Sequence, residues 1–265
     1  MLSMKSSLTT LLVISVFAIS CQRSSKDKEE KSKDDLIAYE VTHIFPHDPN
    51  AFTEGLVIHQ GKLYESTGRF NTSWIAEVAL TTGKQEKKVQ LDKSYFGEGI
   101  AILNNKIYQL TYQTKIGFVY DLKTYKKLRE FSFSFDEGWG MTSDGKNLIA
   151  SDGTNKIHFL DTLTLQETKI ISIKDKSGTA VKNINELEWI EGYLYANQWQ
   201  TNYILKIDVT TGTLVGKMDL TSVVNKIEQV SPSVDVLNGI AYESKTKTIL
   251  VTGKLWPALY ALKFK

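Results

Sequence analysis

The sequence predicts an all-β fold, a five-bladed β-propeller closed by pairing of its N- and C-terminal strands. Three observations predict it. A turn-and-strand unit recurs five times, at residues 61–68, 105–112, 145–153, 192–199 and 247–254, each running through aliphatic or aromatic residues and ending in polar ones. Aligned on Leu63, Ile107, Leu148, Leu194 and Ile249, the units recur every 41–55 residues, the period of one four-stranded blade. No long amphipathic helix interrupts them, and residues 222–229 predict only a turn or two.

The segment before the repeats reads differently. Residues 1–20 carry Lys5, then an apolar stretch over residues 11–19, then a small residue before Cys21. A basic start, a short apolar centre and a small residue at the cut predict a secretory signal, too short for a spanning helix. Ala18-Ile-Ser-Cys21 resembles a bacterial lipobox, and Cys21 is the chain's one cysteine. The expected product is lipid-modified at Cys21, exported and anchored to the cell envelope, in the periplasm or at the cell surface. Residues 21–35 predict a tether, because residues 22–35 hold five basic and five acidic residues and no aliphatic one. Those charges cancel, and the whole chain carries only +2, so no nucleic-acid partner is expected and membrane contact only through the anchor. The domain, residues 36–265, has no cysteine and therefore no disulfide. A closed propeller of this length predicts a monomer.

Within the domain each repeat unit is followed by a second signature. Residues 75–83, 116–124, 157–162, 204–212 and 258–264 alternate apolar and polar and run into Asp/Thr/Gly turns, except the last, which runs into the C-terminus. That pattern predicts a half-buried third strand. Residues 86–91 and 128–133 predict short outer strands. The last repeat has none of its own. Residues 36–44 can supply it, closing the ring and removing an exposed edge.

A propeller concentrates its chemistry where equivalent positions of every blade converge. Nine residues before the aligned positions lie Glu54, Glu98, Trp139 and Asn185, with Asn238 in the same role two residues early in the last repeat. Each opens an innermost strand, where glycine lets backbones crowd around the axis. Five residues after the aligned positions lie Gly68, Tyr112, Gly153, Trp199 and Lys254. Two Phe-x-Glu-Gly motifs, at Phe52 and Phe96, sit in register one blade apart. They would place Glu54 and Glu98 on one rim, where repulsion and a dry pocket raise a carboxyl pKa, unless Lys254 opposite lowers it. Trp74, Trp189 and Trp256 read as core. Trp139, between glycines, and Trp199, between Gln198 and Gln200, read as pocket residues. His43, His47, His59 and His158 show no ligand spacing, so neither a metal nor a cofactor is expected. No nucleophile elbow and no phosphate loop is present.

The motifs Phe-Thr-Glu-Gly-Leu, Tyr-Phe-Gly-Glu-Gly-Ile, Gly-Trp-Gly-Met-Thr-Ser-Asp-Gly, Asn-Glu-Leu-Glu-Trp, Asn-Gln-Trp-Gln-Thr, Leu-Asn-Gly-Ile-Ala-Tyr and Thr-Gly-Lys-Leu-Trp-Pro fall in order from Phe52 to Pro257. Together they resemble the plant-type glutaminyl cyclases, glutaminyl-peptide cyclotransferases that also have bacterial members. The resemblance covers essentially the whole domain. It implies a five-bladed propeller that converts an N-terminal glutaminyl residue of a peptide or protein to pyroglutamate with release of ammonia, without the zinc of the animal-type enzymes. It implies Glu98 as the catalytic carboxylate shuttling a proton between the two nitrogens. Asn185 and Lys254 would donate to the carboxamide oxygen. Trp139 and Trp199 would sandwich the substrate side chain, with Phe52 and Phe96 as aromatic walls. Glu54 stands where the family usually has Gln. A carboxylate there could pair with the substrate ammonium, raise the pKa of Glu98 or alter substrate choice. Tyr112 stands where an indole is expected in many relatives.

Two other readings use the same converging residues. A non-catalytic propeller would bind a peptide or glycan at the channel mouth and show no turnover. A calcium-dependent propeller hydrolase would use Glu54, Glu98, Asn185 and Asn238 as ligands and lose activity in chelator.

Overall fold

A computed structural model describes residues 36–265. The expected signal, Cys21 and the tether lie outside the described residues. Twenty strands form five four-stranded antiparallel sheets. The N-terminal strand is β1 (Tyr39–Pro46). The first blade is β2 (Thr53–His59), β3 (Lys62–Thr67), β4 (Trp74–Ala79) and β5 (Lys84–Gln90). The second is β6 (Gly97–Leu103), β7 (Lys106–Thr111), β8 (Ile116–Asp121) and β9 (Lys127–Ser132). The third is β10 (Met141–Ser143), β11 (Leu148–Ser151), β12 (Lys156–Leu160) and β13 (Glu167–Ser172). The fourth is β14 (Ile184–Ile190), β15 (Tyr193–Gln198), β16 (Tyr203–Asp208) and β17 (Thr213–Asp219). The fifth is β18 (Leu237–Glu243), β19 (Thr248–Gly253) and β20 (Ala258–Phe264), completed by β1, which pairs with β20 from Tyr39↔Phe264 to Pro46↔Ala258.

The recurring unit is the second strand of each blade, and its aligned aliphatic residue is buried in all five. The alternating signature is the third strand. The long spacing between the fourth and fifth repeats has a cause: α1 (Thr221–Val230) is inserted between β17 and β18 and buries Val223, Val224 and Ile227. At ten residues it is longer than the turn or two expected. Among the described residues no helix is long and apolar enough to cross a membrane.

The core lies between blades. Trp74 and Trp256 are buried as expected, and the Trp256 indole nitrogen donates to the Asp235 carbonyl at 2.8 Å. Trp189 is only half-buried, packed on the edge of a cluster that includes Leu187 and Leu205.

Near the axis the innermost strands touch. The Gly99 amide donates to the Trp139 carbonyl at 2.7 Å, and a Cβ on Gly99 would lie 2.3 Å from the Met141 nitrogen. A Cβ on Gly140 would lie 2.2 Å from the Asn185 carbonyl oxygen. Only glycine permits that approach. Strands that converge without pairing leave backbone amides in need of acceptors. Two glutamates of β14 supply them. Glu186 accepts from the amides of Leu56 at 3.0 Å and Ile240 at 2.8 Å, joining three blades. Glu188 accepts from the Tyr242 amide at 2.8 Å and the Thr142 hydroxyl at 3.1 Å. Burial pushes Glu186 well above the carboxylate range and Glu188 up to about 8.

Candidate active site

The two converging rings meet at a cavity of about 220 Å³. Its lining contains the catalytic and substrate-binding residues expected from the sequence, Glu98, Asn185, Lys254, Phe52, Glu54, Phe96, Trp139 and Trp199, joined by Tyr112, but not Asn238, which the repeats place in the same ring. Glu54, Glu98 and Asn185 sit on innermost strands, and Trp139 just before one. Tyr112, Trp199 and Lys254 each follow a second strand by one residue. A wider groove of about 740 Å³ lies among residues of β1, β4 and β20 and carries none of them.

The two glycines of the outer ring are seats for rings of the next blade or of their own. A Cβ on Gly68 would lie 2.2 Å from the Phe96 ring and 3.0 Å from Cγ of Glu54. Gly153, at φ +75°, would bring a Cβ to 2.5 Å from the Trp139 indole. The cavity walls therefore depend on side chains that are missing.

A further layer fixes the polar residues and was not read from the sequence. Ser66 donates to the Glu98 carbonyl at 2.6 Å, and Ser151 to the Asn185 carbonyl at 2.7 Å. The Asn197 side-chain oxygen accepts from the Gly239 amide at 2.8 Å. All three lie three residues after the aligned aliphatic position, a register that the repeat alignment could have revealed. Each ties one blade to the innermost strand of the next.

Glu54 is buried and both of its oxygens are engaged: Lys254 donates at 2.6 Å and Asn238 at 3.1 Å. Burial raises its carboxyl, the ammonium pulls it back, and it settles at about 7. Glu98 is 5% exposed and makes no side-chain hydrogen bond among the described residues. Burial raises its pKa well above the carboxylate range, the Glu54 charge raises it further, and Lys254 opposes both. Lys254 is thus tied to the Glu54 carboxylate, on the rim that Glu54 shares with Glu98. Asn185 lines the cavity with its side-chain oxygen buried and unpartnered.

The aromatic walls are two perpendicular corners. Phe52 and Phe96 meet edge to face, centroids 6.2 Å apart at 89°. Trp139 and Trp199 do the same at 5.5 Å and 89°. Two indoles at right angles are not the parallel plates that a sandwich requires; they offer one face and one edge. The Trp139 nitrogen donates to Glu137 at 3.0 Å, a rim carboxylate the sequence did not single out. Among the described residues no three His, Cys, Asp or Glu side chains gather as a metal site.

The sequence profile of the glutamine cyclotransferase family matches residues 11–264. The chain belongs to that family. A glutaminyl-peptide cyclotransferase of Arabidopsis thaliana is 40% identical over 229 residues, 85% of this chain and 71% of that protein. The crystal structure of Myxococcus xanthus glutaminyl cyclase matches with a TM-score of 0.80 at 34% identity, covering 86% of this chain and 96% of that one. The motifs between Phe52 and Pro257 lead to the same family, and in this member of it six of the seven contribute to one cavity.

Proposed function

We propose that the protein is a glutaminyl-peptide cyclotransferase that closes N-terminal glutaminyl residues to pyroglutamate and releases ammonia, with Glu98 as general acid and base. The observation that supports this best is Glu98 itself: a buried carboxyl with raised pKa, without a side-chain hydrogen-bond partner among the described residues, facing a small aromatic cavity. The substrate already holds its nucleophile and electrophile together, so the enzyme has to fold the side chain back and move protons. The α-amine gives a proton to Glu98 as its nitrogen bonds to the γ-carboxamide carbon. Glu98 returns the proton to the departing nitrogen as the carbon–nitrogen bond breaks, and ammonia leaves. Asn185 and Lys254 donate to the carboxamide oxygen while it carries charge; a donor of this kind is worth about 100-fold in rate or more. The perpendicular rings shape the cavity and exclude water. The place beside Glu54 that a cation would occupy is held by the Lys254 ammonium, which weighs against the calcium-dependent hydrolase. The pattern of residues 1–21 supports export and anchoring at Cys21, which metabolic labelling with a fatty acid tests against Cys21→Ser.

The deciding experiment measures ammonia and product mass from a short peptide beginning with Gln, with an N-acetylated control and chelator present. Cyclisation of the free peptide alone is expected, with Glu98→Gln folded and almost inactive. A tenth of the wild-type rate in that variant removes Glu98 from the role. No product at all from folded protein favours the non-catalytic binding propeller.

A further inference from the structure

Ring closure engages only the first residue of a substrate, so the chain that follows has to leave the cavity across its rim. One rim offers such a path. A second hollow of about 420 Å³ lies along the first blade and shares the Phe52 wall with the catalytic cavity. The Phe52 ring carries the Lys254 ammonium 4.6 Å from its centroid and the Arg69 guanidinium 4.4 Å from it, linking cavity and hollow.

The charges in the hollow are unbalanced. Arg69 and Lys88 line it, both are exposed, and neither belongs to an ion pair among the described residues. Lys88 lies over the Trp74 ring at 4.9 Å. Asp48, the one carboxylate in the lining, is already used: it accepts from the amide and side chain of Asn50 and from Gln85. Arg69 is also held in place. It sits at φ +82°, a conformation that L residues rarely adopt, with its carbonyl accepting from the amides of Thr72 and Ser73 and the Ser73 hydroxyl. Across the mouth the sign reverses, with Glu137 beside Trp139.

We propose that this hollow is the subsite for the polypeptide that follows the N-terminal glutamine, and that Arg69 and Lys88 select acidic side chains there. The inference rests on the cyclotransferase reading. Three extended residues span roughly 10 Å, enough to carry the second to fourth side chains over Phe52 into the hollow. A guanidinium fork held by a fixed loop pairs with a carboxylate bidentately, and two like charges on one wall raise the encounter rate of an acidic chain. The glutaminyl side chain and its α-amine stay in the cavity with Glu98.

The test compares Gln-Glu-Glu, Gln-Ala-Ala and Gln-Lys-Lys peptides on one enzyme at low salt. The acidic peptide is expected to lead the alanine peptide in kcat/KM by about fivefold, since exposed charge pairs contribute little each, mostly through KM, and to lose the lead at high salt. The ratio should fall to about one in the Arg69→Gln/Lys88→Gln variant and invert in Arg69→Glu/Lys88→Glu. Ratios taken within one variant are insensitive to how much of it is folded. Equal rates for the three peptides on wild-type protein, or a lead that survives in the double variants, overturn the subsite. If no peptide is cyclised, the cyclotransferase reading fails, and the Kd ratio of the same peptides by calorimetry still decides the subsite.

Discussion

Lys254 places its ammonium 2.6 Å from the Glu54 carboxylate, 200 residues earlier in the chain, and Asn238 holds the other oxygen of the same carboxylate. The pair leaves Glu98 as the cavity carboxyl without a side-chain partner among the described residues. It also sets the charge that Glu98 feels.

Glu54→Gln should move the acidic limb of the kcat/KM profile to lower pH. Burial first, then the Glu54 charge, raises Glu98. The substitution removes the second cause and unmasks Lys254, which lowers it; both changes have the same sign. The profile belongs to the coupled pair, so it is the shift that is diagnostic. A limb that stays put, or moves up, separates Glu54 from the titration of Glu98.

Lys254→Met should cost little stability at pH 5 and on the order of 3 kcal/mol at pH 9, because it leaves a buried carboxylate uncompensated. Glu54 in the folded protein has its pKa raised to about 7. A raised acid contributes stability that is present below its unfolded value and lost as pH rises through the folded one. Without the ammonium that value climbs further, so the loss continues above pH 7. Urea titrations of both proteins at the two pH values measure it; an equal deficit at both would argue for lost packing instead.

Glu188 carries the same sign at the axis. Its pKa is pushed up to about 8, so wild-type stability should decline as pH rises from about 4.5 to 8. Glu188→Gln keeps an acceptor for the Tyr242 amide while removing the titration. Its denaturation midpoint should depend less on pH than wild type over that window, and an unchanged slope assigns the decline to other groups such as Glu186.

Gly153→Ala tests the seat of Trp139. Its φ of +75° strains any side chain, and the new methyl would overlap the indole. We expect a loss of about 1–2 kcal/mol in stability, with the indole displaced and kcat/KM reduced well beyond what that loss explains. Normal kinetics in a folded variant would show that the Trp139 position is not needed.

Ser66→Ala and Ser151→Ala remove hydrogen bonds to the carbonyls of Glu98 and Asn185. Each should cost about 1 kcal/mol or more, because a buried carbonyl loses a donor. As positioning residues they should lower kcat while leaving KM nearly unchanged, with Ser66→Thr restoring more activity than Ala. A purely structural role would lower the midpoint without touching kcat.

The blades and the cavity lining were legible because repetition puts equivalent positions in equivalent places. Leu63, Ile107, Leu148, Leu194 and Ile249 fix a register, and counting nine back and five forward reaches the cavity. What was not legible depends on contacts with no local pattern. Glu186 lies beside Asn185 in the same motif, but its partners Leu56 and Ile240 are 130 and 54 residues away. The angle between Trp139 and Trp199 comes from how two blades meet. Helix α1 has Leu220 as its N-cap residue, which offers no side-chain cap, so its usual start signal is missing. The Glu54–Lys254 pair needed both residues to be seen on one side of a closed ring.

The seam between β1 and β20 has a consequence for how the chain matures. Contacts across it span more than 200 residues, as between Thr42 and Ala261, which are 219 apart. A nascent chain therefore carries β1 as an orphan edge throughout elongation, ready to zip onto a strand of another molecule. Only when the last seven-residue strand, β20, emerges can the edge be silenced. Long-range pairing of this kind is slow, so the interval is long. The unfinished ring is therefore an aggregation hazard, and a premature stop just short of Ala258 should yield aggregate rather than a weakened enzyme.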